Sequence, residues 1–119
     1  MRIIAGPCQH ESYEQSLVIA RECQRVCNNH NVEFIFKASF DKANRSSGNS
    51  YRGPGLEEGL NLLAQVKQKY KLELLTDIHE SHQAKKVSEI VDVLQIPAYL
   101  CRQTDLILAA VDAVKGTSK

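Results

Sequence analysis

The sequence predicts an α/β fold of about four strand-then-helix units, with parallel strands covered by helices. Three observations carry this. Short runs rich in β-branched and aromatic residues recur along the chain. Each is followed by apolar residues at helical spacing. Polar, Gly or Pro punctuation separates one from the other.

Ile3-Ile4-Ala5 is the first strand, closed by Gly6-Pro7. Ser12 to Gln15 fits a capping box, and Ile19, Ala20, Cys23, Val26 and Cys27 follow on one helical face until Asn28-Asn29-His30-Asn31 ends it. The second strand is Val32 to Phe36. A polar, Gly-containing stretch then runs from Lys37 to Gly55, long enough for a functional loop. Leu56, Leu60, Leu63, Val66 and Tyr70 mark the second helix. The third strand covers Leu72 to Leu75 and ends in Thr76-Asp77; Ala84, Val87 and Ile90 suit a third helix. Val91 to Gln95 is the fourth strand, stopped by Pro97, and a fourth helix covers about Thr104 to Val114.

Such alternation suits a doubly wound sheet or a piece of a (β/α)8 barrel. A whole barrel needs about 250 residues, and the chain has 119. The formal net charge of +1 gives no global pull toward nucleic acid or an anionic membrane, so any anion site is local. No apolar run reaches the roughly 20 residues of a membrane span, and the first residues do not form a signal h-region. A cytoplasmic location is the expectation. There the four cysteines, Cys8, Cys23, Cys27 and Cys101, stay reduced, with Cys23 and Cys27 as packing thiols.

Both architectures put active sites at the C-terminal ends of the strands. There the sequence places Cys8, Gln9 and His10 after the first strand. After the second come Lys37, Ser39, Asp41, Lys42, Asn44, Arg45, Ser46 and Ser47; after the third, Thr76, Asp77 and His79; after the fourth, Gln95, Arg102 and Gln103. Lys37, Lys42 and Arg45 are either donors to phosphates and carboxylates or part of a solvated basic loop. No GxxxxGK[ST] motif is present, so this is no nucleotide P-loop. Read from the residues, Cys8 is a metal ligand with His10 or His79, a nucleophile, or neither. Asp77 either forms an acid/base pair with His79 or caps the next helix.

Several of these segments resemble a known family. Ile4-Ala5-Gly6-Pro7-Cys8, Phe36 to Ser47, Tyr51 to Glu57, Thr76-Asp77-Ile78-His79-Glu80 and Leu94 to Leu106 are similar to the motifs of 3-deoxy-D-manno-octulosonate 8-phosphate synthases. The resemblance implies the N-terminal half of a (β/α)8 barrel, spanning 1–119 and stopping after the fourth βα unit, from an enzyme that is usually tetrameric. It implies condensation of phosphoenolpyruvate with D-arabinose 5-phosphate and water, toward the lipopolysaccharide core. By the same resemblance Lys37, Lys42 and Gln95 contact phosphoenolpyruvate; Asn44, Arg45 and Ser46 hold the sugar phosphate; Arg102 reaches a neighbouring subunit's sugar phosphate. Lys42, Asn44 and Asp77 are the implied catalytic residues. The family has a metal-dependent branch with Cys at the position of Cys8 and an independent branch with Asn, which makes Cys8 a ligand to a divalent ion.

Gly48-Asn49 departs from the family pattern, and the further metal ligands and substrate-binding residues of the family would follow beyond this sequence. The expectation is a chain without synthase activity alone, or a non-catalytic remnant. The related erythrose 4-phosphate-using synthase reads Lys-Pro-Arg where this chain has Lys42-Ala43-Asn44-Arg45, which disfavours it.

Overall fold

The computed structural model describes residues 1–43 and 46–115. Four strands alternate with four helices: β1 (Arg2–Gln9), α1 (Tyr13–Asn29), β2 (Glu33–Ser39), α2 (Leu56–Tyr70), β3 (Glu73–Asp77), α3 (Gln83–Ser88), β4 (Val93–Gln95) and α4 (Thr104–Val114). All neighbouring strands are parallel and lie in the order β1-β2-β3-β4. A doubly wound sheet reverses its strand order at a switch point. This one does not, and it has the consecutive order of half a (β/α)8 barrel.

The period of two along each strand sorts residues between two faces. Phe34, Phe36, Ala38 and Leu74 face the helices and join Leu17, Ala20, Leu60, Leu63, Val66, Val87 and Leu106 in the core. Burying a Leu or Val of this kind contributes about 2 kcal/mol. The opposite face carries Ile35, Lys37 and Ser39 from β2, Leu75 and Asp77 from β3, and Val93 and Gln95 from β4. Lys37 is registered with Leu75, Leu75 with Val93, and Asp77 with Gln95.

Ser12 caps α1, its side chain accepting from the Gln15 N–H. β1 extends beyond the expected Ile3-Ile4-Ala5, through Gly6-Pro7 to Gln9. Its register with β2 is irregular between Ala5 and Cys8, where a proline without an N–H is tolerated. A Cβ on Gly6 would lie 1.8 Å from the Lys37 carbonyl oxygen, so only glycine lets the two backbones approach this closely. β2 also runs three residues past Phe36, which puts Lys37 and Ser39 on the strand rather than in the loop.

β4 is shorter than expected because Asp92 serves elsewhere. Its carboxylate accepts from Lys67 Nζ (2.7 Å) and the Leu74 N–H (2.9 Å), tying α2 to β3. Cys27 is buried and Cys23 half-buried, as packing thiols should be. Among the described residues no helix is long and apolar enough to cross a membrane.

Candidate active-site rim at the strand ends

The C-terminal ends of β2 and β3 bring four polar side chains together. Ser39 is fully buried, and its Oγ accepts from Lys37 Nζ (3.1 Å) and Lys42 Nζ (2.8 Å). Asp77 stands on the adjacent strand. Its Oδ2 lies 3.2 Å from His79 Nε2, and both side chains are under a tenth exposed. Burial pushes the Asp77 carboxyl up, but hydrogen bonds from His79 and Ser39 and the charge of Lys37 outweigh it. The group is held at about 2, below its ordinary 3.8. It is therefore a fixed anion at neutral pH, an acceptor and not a proton donor. Burial pulls the Lys37 ammonium below its ordinary range; Asp77 opposes this and Lys42 adds to it.

His79 is locked from several sides. Its ring packs edge-on against Phe40 with centroids 5.8 Å apart, and its backbone N–H donates to Gln83 Oε1 at 2.8 Å. Gln83 also accepts from the Glu80 N–H, so it ties up the donors that precede α3. Of the two roles open to Asp77, the pairing with His79 is present and the helix cap is not.

The loop that carries Lys42 is closed at its base. Lys42 N–H donates to Arg52 O (2.7 Å), and Gly55 N–H to Phe40 O (3.0 Å). The Arg52 guanidinium grips Asp41 with two bonds of 2.9 and 2.7 Å. Gly53, at φ 117°, turns the chain where a Cβ would meet Phe40 O at 2.5 Å. Ser46 is exposed beyond this closure, whereas Asn44 and Arg45 lie outside the described residues.

Gln95 is half-buried at the end of β4, and its carbonyl accepts from Ile78 N–H (3.0 Å). Arg102 is exposed, just ahead of α4. Cys8 is exposed at the end of β1 with φ 65°. His10, a sequence candidate for its metal partner, turns the other way. It is fully buried against Phe36, and its Nδ1 lies 2.8 Å from Ser16 Oγ on α1. Burial lowers its pKa to about 4, so it packs as a neutral ring. His79 is likewise engaged with Asp77. Among the described residues no three His, Cys, Asp or Glu side chains form a group able to hold a metal. Cys8 is one available donor, and the residues present do not make a site by themselves.

A pattern this specific, with cationic, acidic and amide groups on successive strand ends of a half-barrel, has counterparts in known proteins. The family model described as DAHP synthetase I family matches residues 1–115. The chain belongs to that family. Curated relatives named 2-dehydro-3-deoxyphosphooctonate aldolase are similar over nearly all of it. One from Campylobacter jejuni subsp. doylei is 59% identical over 110 residues, 92% of this chain and 41% of the relative. One from Helicobacter pylori is 53% identical over 119 residues, 98% of this chain and 43% of the relative. A Fusobacterium nucleatum relative is 52% identical over 116 residues, 98% of this chain and 42% of its own length. The chain thus spans about two-fifths of the length of the curated relatives it matches.

The sequence offered the Asp77–His79 pairing as one of two alternatives, but it presented Ser39 only as one polar residue among many. The signal for Ser39 was its spacing of two from Lys37, which puts both on one strand face once β2 is extended to Ser39.

Proposed function

We propose that this chain supplies the substrate-binding rim of a 3-deoxy-D-manno-octulosonate 8-phosphate synthase. The enzyme would condense phosphoenolpyruvate with D-arabinose 5-phosphate and water and release inorganic phosphate, in a cytoplasmic step toward the lipopolysaccharide core. The observation that carries the reading is the convergence of Lys37 and Lys42 on one buried oxygen beside the Asp77 carboxylate, at the C-terminal ends of parallel strands. The names of the relatives support it.

In this reading Lys37 and Lys42 neutralise the carboxylate and phosphate of phosphoenolpyruvate, and Gln95 adds an amide donor from the next strand end. Asn44, Arg45 and Ser46, on the loop closed by Asp41 and Arg52, hold the arabinose phosphate. Arg102, free to extend from the surface, reaches the sugar phosphate of a neighbouring subunit in a homo-oligomer, a tetramer in the full-length family. Lys42 and Asn44 polarise the reacting groups, and Asp77 holds its charge against the cations and orients donors around it. Cys8 supplies a ligand to the divalent-metal site of the metal-dependent branch. The test of Cys8 is metal content: Cys8→Asn in a full-length relative should lower bound metal, and unchanged stoichiometry would remove the assignment.

In this reading the four units bind substrate, and the chain spans about two-fifths of the length of the relatives that carry the name. Titration calorimetry of phosphoenolpyruvate into the purified chain tests the reading. Saturable, salt-sensitive binding that Lys42→Met weakens about tenfold is expected, the loss of one charge-assisted hydrogen bond. Binding indifferent to Lys42→Met, or none, would overturn it.

A further inference from the structure

We propose that Ser39 is a positioning residue of this rim, whose buried hydroxyl holds the Lys37 and Lys42 ammonium groups side by side as one two-pronged anion clamp. The inference rests on the reading above only in naming the anion.

Two like charges on flexible four-carbon stems do not stay together unaided. Each stem loses rotamer freedom on being fixed, and the ammonium groups repel. A shared acceptor offsets both. A hydroxyl has two lone pairs and one proton. At Ser39 the two lysines donate to the oxygen at 3.1 and 2.8 Å, which occupies both lone pairs. The proton is left over, and the Ser39 hydroxyl helps hold the Asp77 carboxyl low. Ser39 itself has no exposed surface and lies behind the two ammonium groups, so it acts through the lysines.

The backbone fixes this oxygen in place. Ser39 is the last residue of β2, and its carbonyl accepts from the His10 N–H at 3.1 Å. Lys37 stands two residues before it on the same strand face, while Lys42 returns from the loop whose base Arg52 closes. Each ammonium has three donors and gives one to Ser39, which leaves the others for an incoming carboxylate or phosphate.

The test uses nitrogen-detected NMR of the lysine side chains in the purified chain, with Ser39→Ala and Ser39→Thr. Hydrogen-bonded ammonium groups exchange slowly and are seen. Lys67, held by Asp92 and the Ile90 carbonyl, is the internal control for folding. The expectation is that Ser39→Ala loses the Lys37 and Lys42 signals and keeps Lys67, and that Ser39→Thr restores them. Phosphoenolpyruvate binding then gives a second readout. Lys42→Met should cost about tenfold in the Ser39 protein and about twofold in Ser39→Ala, because the clamp is already open. Persistent Lys37 and Lys42 signals in Ser39→Ala, or equal losses in both backgrounds, would overturn the proposal. If Ser39→Ala loses Lys67 as well, Ser39→Cys, of similar shape and weaker acceptor strength, replaces it. If the unaltered chain binds no phosphoenolpyruvate, the functional reading falls and the NMR comparison alone decides Ser39.

Discussion

At the scale of single residues, the charge on Asp77 links the rim to stability. Its carboxyl titrates near 2 in the folded chain and at an ordinary 3.8 when exposed. The unfolded chain therefore binds the proton first as pH falls. The stabilisation, about 2 kcal/mol, is fully present above pH 4 and is lost as pH drops through about 2. Urea unfolding followed from pH 6 to pH 2 should show this loss, and Asp77→Asn should flatten it. An equal slope in both proteins would mean that other groups carry the acid transition. Lys37, Lys42, Asp77 and Gln95 were legible as candidates because ionisable and amide residues cluster where strands end. The partnership of Ser39 was not, since it depends on where β2 stops and on a lysine returning from a loop. Nor was the direction of His10, whose ring is buried against α1 with Nδ1 2.8 Å from Ser16 Oγ.

At the scale of elements, helices Leu56–Tyr70 and Thr104–Val114 stand where their periodicity put them. The strand ends were harder to read. Gly6-Pro7 reads as a stop, yet the irregular pairing of β1 accommodates it and the strand continues. Lys37 and Ser39 read as loop because they are polar, but their face of the sheet is not the one packed on the helices. The Arg52–Asp41 ion pair adds to two backbone bonds in closing the base of the loop after β2. Arg52→Met should leave the helical circular dichroism intact while making the segment between Lys42 and Arg52 cleave several-fold faster under limited proteolysis. Unchanged cleavage would show that the backbone bonds to Phe40 and Arg52 hold the loop without it.

At the scale of the whole molecule, the four-stranded sheet has two open sides. β1 and β4 each lack a neighbour on one edge among the described residues. Ile4, level with Ile35 on the face away from the helices, is 53% exposed. Beside β4 runs an apolar cleft lined by Leu94, Ile96, Ala110, Val111 and Val114. Bare strand edges next to apolar surface associate unless something covers them. Purified alone, the 119-residue chain should give a light-scattering mass of a dimer or more, and Ile4→Lys should lower it. A monodisperse monomer would show that the edges are protected by other means. The parallel order of this sheet was legible from the alternation of strands and helices. Its choice of half a barrel over a doubly wound sheet was legible only through the family resemblance, because strand order follows from tertiary pairing and leaves no local mark.

The left-handed backbone at Cys8 bears on how a ligand can be exchanged during divergence. At φ 65° most side chains are strained, and asparagine is among the few that sit there readily. Cys8→Asn should therefore raise stability by about 1 kcal/mol, read as a higher urea midpoint at constant slope. A lower midpoint would contradict it. Cysteine and asparagine are the two residues that the family resemblance places at this position. A lineage can pass from one to the other, trading a thiol for an amide, with the strand around it undisturbed. The backbone at this one position thus accepts either of the two residues without a change in the strand that carries it.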